Sequence, residues 1–280
     1  MNAVDPMLAA AKPPFKLGSE EHKHAFCRML LDTFDPYKPA VIDWPKLESE
    51  ALQRVVTMPF WTIAVETEDS ASAHFVNFAK MQTDPLLKEA FELIAFEENR
   101  HRHVLDALVK AYGITLKPLP KYVPSRRTEW NMMSTGYGEC LDSFFAFGLF
   151  ELAKRSGYFP MELVDTFEPV IREENRHIVF FINWVVYTQA QKPFFLKPWF
   201  MAKRLSHLFL NGMSRLGVMD GDQDDFATTG KDSVGIDIEL AQFMDLCLSE
   251  NDRRMATLDA RLVRPKLMPT FVKTARLFIR

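Results

Sequence analysis

Glu97-Glu98-Asn99-Arg100-His101 returns, residue for residue, as Glu173-Glu174-Asn175-Arg176-His177. Each copy contains Glu-x-x-His. Residues three apart share a helix face, so Glu98 stands beside His101 and Glu174 beside His177. A five-residue identity within 280 residues indicates duplication. A duplicated pair of ligand-type side chains indicates a site with two similar halves.

The flanking residues place both copies in helix cores. Around the first, apolar residues fall at Phe91, Ile94, Leu105, Leu108 and Tyr112, and Glu98 and His101 fill the two missing steps. Around the second the series runs Val170, Glu174, His177, Phe181, Trp184. Acids and histidines in the apolar stripe face the core. Pro85 after Thr83-Asp84 marks the start of the first helix and Gly113 its end. A helix from Trp61 to about Met81 precedes it. The second pair reads as a helix from about Glu129 to Arg155, a turn over Ser156–Pro160, and a helix to about Gln191. Pro169 within that last stretch predicts a local kink or bulge.

The duplication extends to the preceding helices. Glu66-Thr67-Glu68-Asp69-Ser70 and Glu139-Cys140-Leu141-Asp142-Ser143 both read Glu-x-x-Asp-Ser, and Ala73 then matches Ala146. The expected fold is all-α, a four-helix bundle made from a duplicated helical hairpin, with extra N- and C-terminal helices. Three regions are expected: an arm and accessory helices over 1–58, the bundle over 59–192, and a helical extension over 193–280. Within the arm, a helix should begin near Ser19 and a short one should cover Pro45–Met58. Within the extension, a further helix should span about Ile236–Arg261, followed by a basic, apolar tail.

Two Glu-x-x-His pairs, with one carboxylate from each of the other helices, make a ligand set for two metal ions. Carboxylates cancel the repulsion between two cations and can bridge them; one neutral imidazole per ion adds no charge. Glu66 lies 32 residues before Glu98 and Glu139 lies 35 before Glu174, so each reaches a similar height across its hairpin. Glu68, about 200° round the helix from Glu66, is expected to face outward. The expected ligands are Glu66, Glu98, His101, Glu139, Glu174 and His177. Asp69 and Asp142 share the faces of Glu66 and Glu139 and are expected nearby, while Arg100 and Arg176 pair with neighbouring acids. The small Ala73 and Ala146 leave room beside the metals, and Phe144, Phe145, Phe147, Phe150, Phe180, Phe181 and Trp184 are candidates to line an apolar pocket. The remaining histidines, His22, His24, His74, His103 and His207, are expected to be structural or surface residues.

With these residues in view, the pattern resembles the ferritin-like superfamily of di-iron carboxylate proteins. Glu97-Glu98-x-Arg100-His101 is similar to the acidic-Glu-x-Arg-His motif of di-iron monooxygenase hydroxylase subunits and related oxidases. The resemblance covers roughly residues 60–190. It implies two iron ions (or Mn/Fe, or Mn/Mn), with Glu98 and Glu174 bridging and His101 and His177 terminal. It also implies that Glu97 and Glu173 hydrogen-bond the imidazoles, where the hydroxylases usually carry Asp. The activity implied is oxidoreductase chemistry of the monooxygenase or oxidase type: O₂ activation to oxidise a small apolar substrate, with electrons from an external donor. The alternatives are a ferroxidase or iron-binding protein, a peroxide-reducing protein, and a non-catalytic metal-binding bundle that docks on a partner or a membrane surface.

Composition narrows the classes further. The formal net charge is −3, which gives no reason to expect nucleic acid. Cys27, Cys140 and Cys247 form no Cys-x-x-Cys, so no zinc ribbon or rubredoxin-like module is expected, and a reducing, cytoplasmic setting fits. No run approaches the roughly 18 apolar residues of a membrane span. Residues 193–218 mix aromatic and basic side chains without an acidic one. Asp220–Asp225 begins like a calcium loop, but Lys231 stands where a twelfth-position Glu is needed; a solvated loop is expected. A homodimer, and contact of the C-terminal region with a membrane surface, are the remaining partner expectations.

Overall fold

Several helix ends fall on the expected signals. The computed structural model describes residues 14–118, 126–215 and 238–279. Its helices are α1 Glu20–Leu31, α2 Ser49–Thr57, α3 Trp61–Ala79, α4 Pro85–Tyr112, α5 Thr128–Ser156, α6 Met161–Asp165, α7 Glu168–Gln191, α8 Lys197–Arg215, α9 Leu240–Met255 and α10 Leu267–Ala275. Ser19 caps α1 by accepting from the His22 N–H at 3.2 Å. Asp84 caps α4 by accepting from the Leu86 and Leu87 N–H groups. Gly113, at φ 65°, closes α4 in the left-handed conformation that costs glycine least. The described residues contain no strand, so the fold is all-α.

α3, α4, α7 and α5 touch in a ring, each packed on the next. α1 lies against α7 and α4, α8 and α9 lie against α5, and α10 bridges α9 and α5. Gly148 sets the approach of α9: a Cβ there would stand 2.3 Å from the Cys247 Sγ. Two apolar clusters fill the bundle. One gathers Phe26, Phe78, Phe91, Met132, Phe180, Phe181 and Trp184. The other gathers Trp61, Val65, Leu105, Leu108, Phe144, Leu149 and Leu163. On α4 the first cluster ends at Ala95 and the second begins at Leu105, so the charged repeat forms a layer between them.

Three expectations change. Pro169 neither kinks nor bulges a continuous helix; the chain breaks between α6 and α7, and Pro169 is the second residue of α7. There its missing N–H has no helical partner to lose. α2 begins at Ser49 rather than Pro45, and α9 is shorter than 236–261, with the tail forming α10. The Asp220–Asp225 loop lies outside the described residues, as do positions 1–13 and 119–125. No helix among the described residues is long and apolar enough to cross a membrane.

Candidate metal centre

The two copies of the repeat face each other on α4 and α7 and bond crosswise. Glu97 of α4 accepts from Arg176 of α7 and pairs with His177 Nε2 at 2.7 Å. Glu173 of α7 accepts from Arg100 of α4 and pairs with His101 Nε2 at 2.8 Å. Each Glu therefore fixes the ring of the histidine on the opposite helix, and each Arg holds that Glu in place. The arginines are anchored in turn by the N-terminal segment. Arg176 donates to Leu30 O at 2.9 Å, at the end of α1. Arg100 donates to Asp35 O and Tyr37 O and stacks on the Tyr37 ring at 3.9 Å. Tyr37 also donates to Glu173 at 3.3 Å. Residues 30–37, within the region expected to be accessory, thus close one side of the site.

With both Nε2 atoms taken, both Nδ1 atoms turn to the interior. His177 Nδ1 lies 2.8 Å from Glu98 Oε1, and His101 Nδ1 lies 3.1 Å from Glu174 Oε1 and 3.5 Å from Glu68 Oε2. Glu68, Glu98, His101 and Glu174 each offer one ligand-type atom, all within 4.8 Å of one another. Despite these approaches, both Nδ1 atoms, Glu98 Oε1 and the two carboxylate oxygens of Glu139 are buried without a hydrogen-bond partner. Close approach without hydrogen-bond geometry is what side chains show when they converge on a shared centre instead of on each other.

The electrostatics agree. Burial, then the charges of Glu174 and Glu68, push the Glu98 carboxyl well above its ordinary value. Burial, then Glu98 and Glu174, do the same to Glu139. For Glu97 and Glu174 burial acts in the same direction but is outweighed, by His177 and Arg176 for Glu97 and by His101 for Glu174, so both are held low. Burial would lower His101, yet the hydrogen bond to Glu173 and the close carboxylates of Glu174 and Glu68 raise it. Four carboxylates in one buried layer repel unless cations or protons intervene. The donor set of four carboxylates and two imidazole Nδ1 atoms suits divalent metal ions.

Glu68, and not Glu66, joins this group, which corrects the sequence expectation. Trp61, Val65, Glu68, Ser72, Phe75 and Ala79 form one 3-4 stripe facing α4, and Glu68 occupies a step of it. Glu66 is half-buried and lines a neighbouring cavity. Of the residues expected as ligands, Glu98, His101 and Glu174 belong to this group, His177 Nδ1 approaches Glu98, and the buried Glu139 carboxylate feels the charges of Glu98 and Glu174. Asp69 instead faces Arg102 at 3.2 Å on the outer side. Asp142 lines the cavity with Glu66.

That cavity, about 840 Å³, opens beside Glu68 and His101. Its walls are largely apolar, among them Trp61, Leu105, Leu108, Ala146, Leu149, Phe150 and Leu163. Of the residues expected to form a pocket, Ala146 and Phe150 line it. Phe181 and Trp184 pack in the opposite cluster, with Phe181 against the Tyr137 ring at 5.0 Å. They follow His177 along α7, whereas the cavity lies towards the start of that helix, where the α6–α7 break leaves space. Ala73 is not among its lining residues.

No family model, curated protein or solved structure matches the chain. The site is a buried group of carboxylates and histidines able to hold metal ion.

Proposed function

We propose that the chain is a ferritin-like di-metal protein, with two iron ions as the first candidates, that activates O₂ to oxidise a small apolar molecule. One observation carries this reading: unpartnered Nδ1 and carboxylate atoms from two crossed half-sites converge at the wall of an apolar cavity. Glu68, Glu98, His101, Glu139, Glu174 and His177 would hold the metals, and the pair would supply the electrons that reduce O₂.

The protein's own groups prepare the place. Glu97 and Glu173 fix the imidazole tautomers so that each Nδ1 carries a lone pair inward. Arg176 and Arg100 neutralise those two acids, so that the layer's remaining negative charge resides on the four interior carboxylates. The apolar walls around Leu105, Ala146, Leu149 and Leu163 exclude water and favour an uncharged substrate. Glu66 and Asp142, at the same walls, disfavour an anionic one. The cavity supports substrate oxidation over iron storage, because storage needs no such space for an organic molecule.

The test is anaerobic Fe(II) loading of metal-free protein, followed by O₂ exposure with Mössbauer and optical monitoring. About two irons per chain are expected, with O₂ uptake stimulated by small apolar compounds. Continued mineral growth well beyond that ratio would favour storage and overturn the oxidase reading.

A further inference from the structure

The outer face of α8 is apolar and uncovered in the described structure. Phe200, Arg204, His207 and Asn211 repeat at helical spacing on the inner side, with Phe200, His207 and Asn211 buried. Arg204 donates to the Tyr137 hydroxyl at 2.9 Å, and Asn211 donates to Ser134 at 3.3 Å. The helix is thereby fixed to α5. Its opposite side presents Trp199 at 75 % exposure, Leu205 at 60 % and Phe209 at 66 %. The turn before it adds Phe194 at 87 % and Phe195 at 75 %. Large apolar side chains held in water on one side of a helix and its preceding turn have a strong drive to be covered.

Charge decides between the candidate covers. Residues 192–215 contain no Asp or Glu and carry Lys192, Lys197, Lys203, Arg204 and Arg215. Lys203 bridges to Glu129 at 2.8 Å. Lys192 and Lys197 have no carboxylate partner among the described residues. A second copy packed through the same face would bring these like charges together without a compensating acid on the helix. An anionic lipid surface complements them. Trp and Phe on one face with Lys at its borders is the arrangement that settles at the headgroup boundary, with the lysine stems reaching back to the phosphates.

We propose that the outer face of α8, with the Phe194–Leu196 turn, docks the protein onto an anionic bilayer surface. The consequence for the cavity is direct. Ser214, in the last turn of α8, is one of its lining residues. Docking through α8 therefore sets against the bilayer, where apolar molecules concentrate, a helix whose inner face borders the cavity. The proposal stands on the α8 surface and does not require the metals.

The test uses the full chain and sucrose-loaded vesicles, either of phosphatidylcholine alone or with about one-third phosphatidylglycerol. The protein should sediment with the anionic vesicles, weakly with the neutral ones, and less at high salt. Trp199→Ser combined with Phe209→Ser should weaken binding by about tenfold or more. Trp199→Phe, which keeps the apolar surface, should retain most of it. Both replaced side chains are exposed, so helix content by circular dichroism should be unchanged. Failure of the wild type to bind anionic vesicles would overturn the proposal. So would equal binding to both vesicle types. A dimer in analytical ultracentrifugation that the double substitution abolishes, without vesicle binding, would assign the face to a second copy and overturn it as well.

Discussion

Replacing Glu97 by Gln probes the crossed frame that presents the metal ligands. Glu97 is fully buried and binds two partners, the Arg176 guanidinium and His177 Nε2 at 2.7 Å. Gln keeps the shape but removes the charge, leaving buried Arg176 with the Leu30 carbonyl, the Thr33 hydroxyl and a Glu173 carboxylate 3.9 Å away in place of its close ion pair. Breaking a buried ion pair from one side costs about 3–5 kcal/mol. Unfolding entropy scales to roughly 0.6 kcal/mol per degree for a chain of this length, so the melting point of metal-free protein should fall by about 5–8 °C. Scanning calorimetry measures it. The paired test is a double-mutant cycle with Arg176→Gln, in which the second substitution should cost far less once Glu97 is gone, a coupling of about 2 kcal/mol or more. Additive losses would refute the view that these two residues act as one unit. The mirror pair, Glu173→Gln with Arg100→Gln, should couple in the same way.

Gly148→Ala should destabilise by about 1–3 kcal/mol, because the new methyl meets Cys247; Cys247→Ala should recover part of that loss in chemical denaturation. Ala146→Phe fills part of the cavity wall, so it should lower the affinity of a bound apolar fluorophore several-fold while metal content stays unchanged by elemental analysis. His207 is buried between Trp130 and Tyr137 with neither ring nitrogen bonded. Burial, then Lys203, lowers it to about 4. Its neutral form is the folded one, so stability is intact above the ordinary histidine range. As pH falls from about 6.5 through 4, up to about 3 kcal/mol is lost. His207→Phe should remove that share of the acid sensitivity in melts from pH 7 to 4. Chelation of a metal-loaded sample should lower its melting point, and the drop should vanish in a Glu98→Ala, His177→Ala protein.

Much of the site was legible because its residues break an apolar pattern at defined steps. Glu98, His101, Glu174 and His177 sit where the stripes of α4 and α7 call for apolar side chains, and nothing but burial against like partners explains that. Pro85 and Gly113 gave the ends of α4 by backbone chemistry alone. Glu68 was hidden by the second duplication, Glu-x-x-Asp-Ser, which aligns Glu66 with Glu139 and implies equal heights. Connection lengths decide the heights instead. The α3–α4 turn is tight, whereas α6 and its break add chain between α5 and α7, so Glu68 lies 30 residues before Glu98 while Glu139 lies 35 before Glu174. The stripe through Val65, Ser72 and Phe75 carried the correct signal for α3, as the same rule had for α4. The clamp from Tyr37 and Leu30 could not be read from sequence, because carbonyl acceptors and ring stacking leave no residue-type signature. The cavity was equally hidden, since its walls are ordinary apolar residues and only the α6–α7 break separates them.

Metal stoichiometry across three proteins tests the central claim most directly. Wild type, Glu68→Ala and Glu66→Ala would be loaded anaerobically with Fe(II), desalted and analysed for iron per chain. Wild type and Glu66→Ala should retain about two ions, and Glu68→Ala should retain clearly fewer. Retention of less than one ion by the wild type, or undiminished iron in Glu68→Ala beside a loss in Glu66→Ala, would contradict the account.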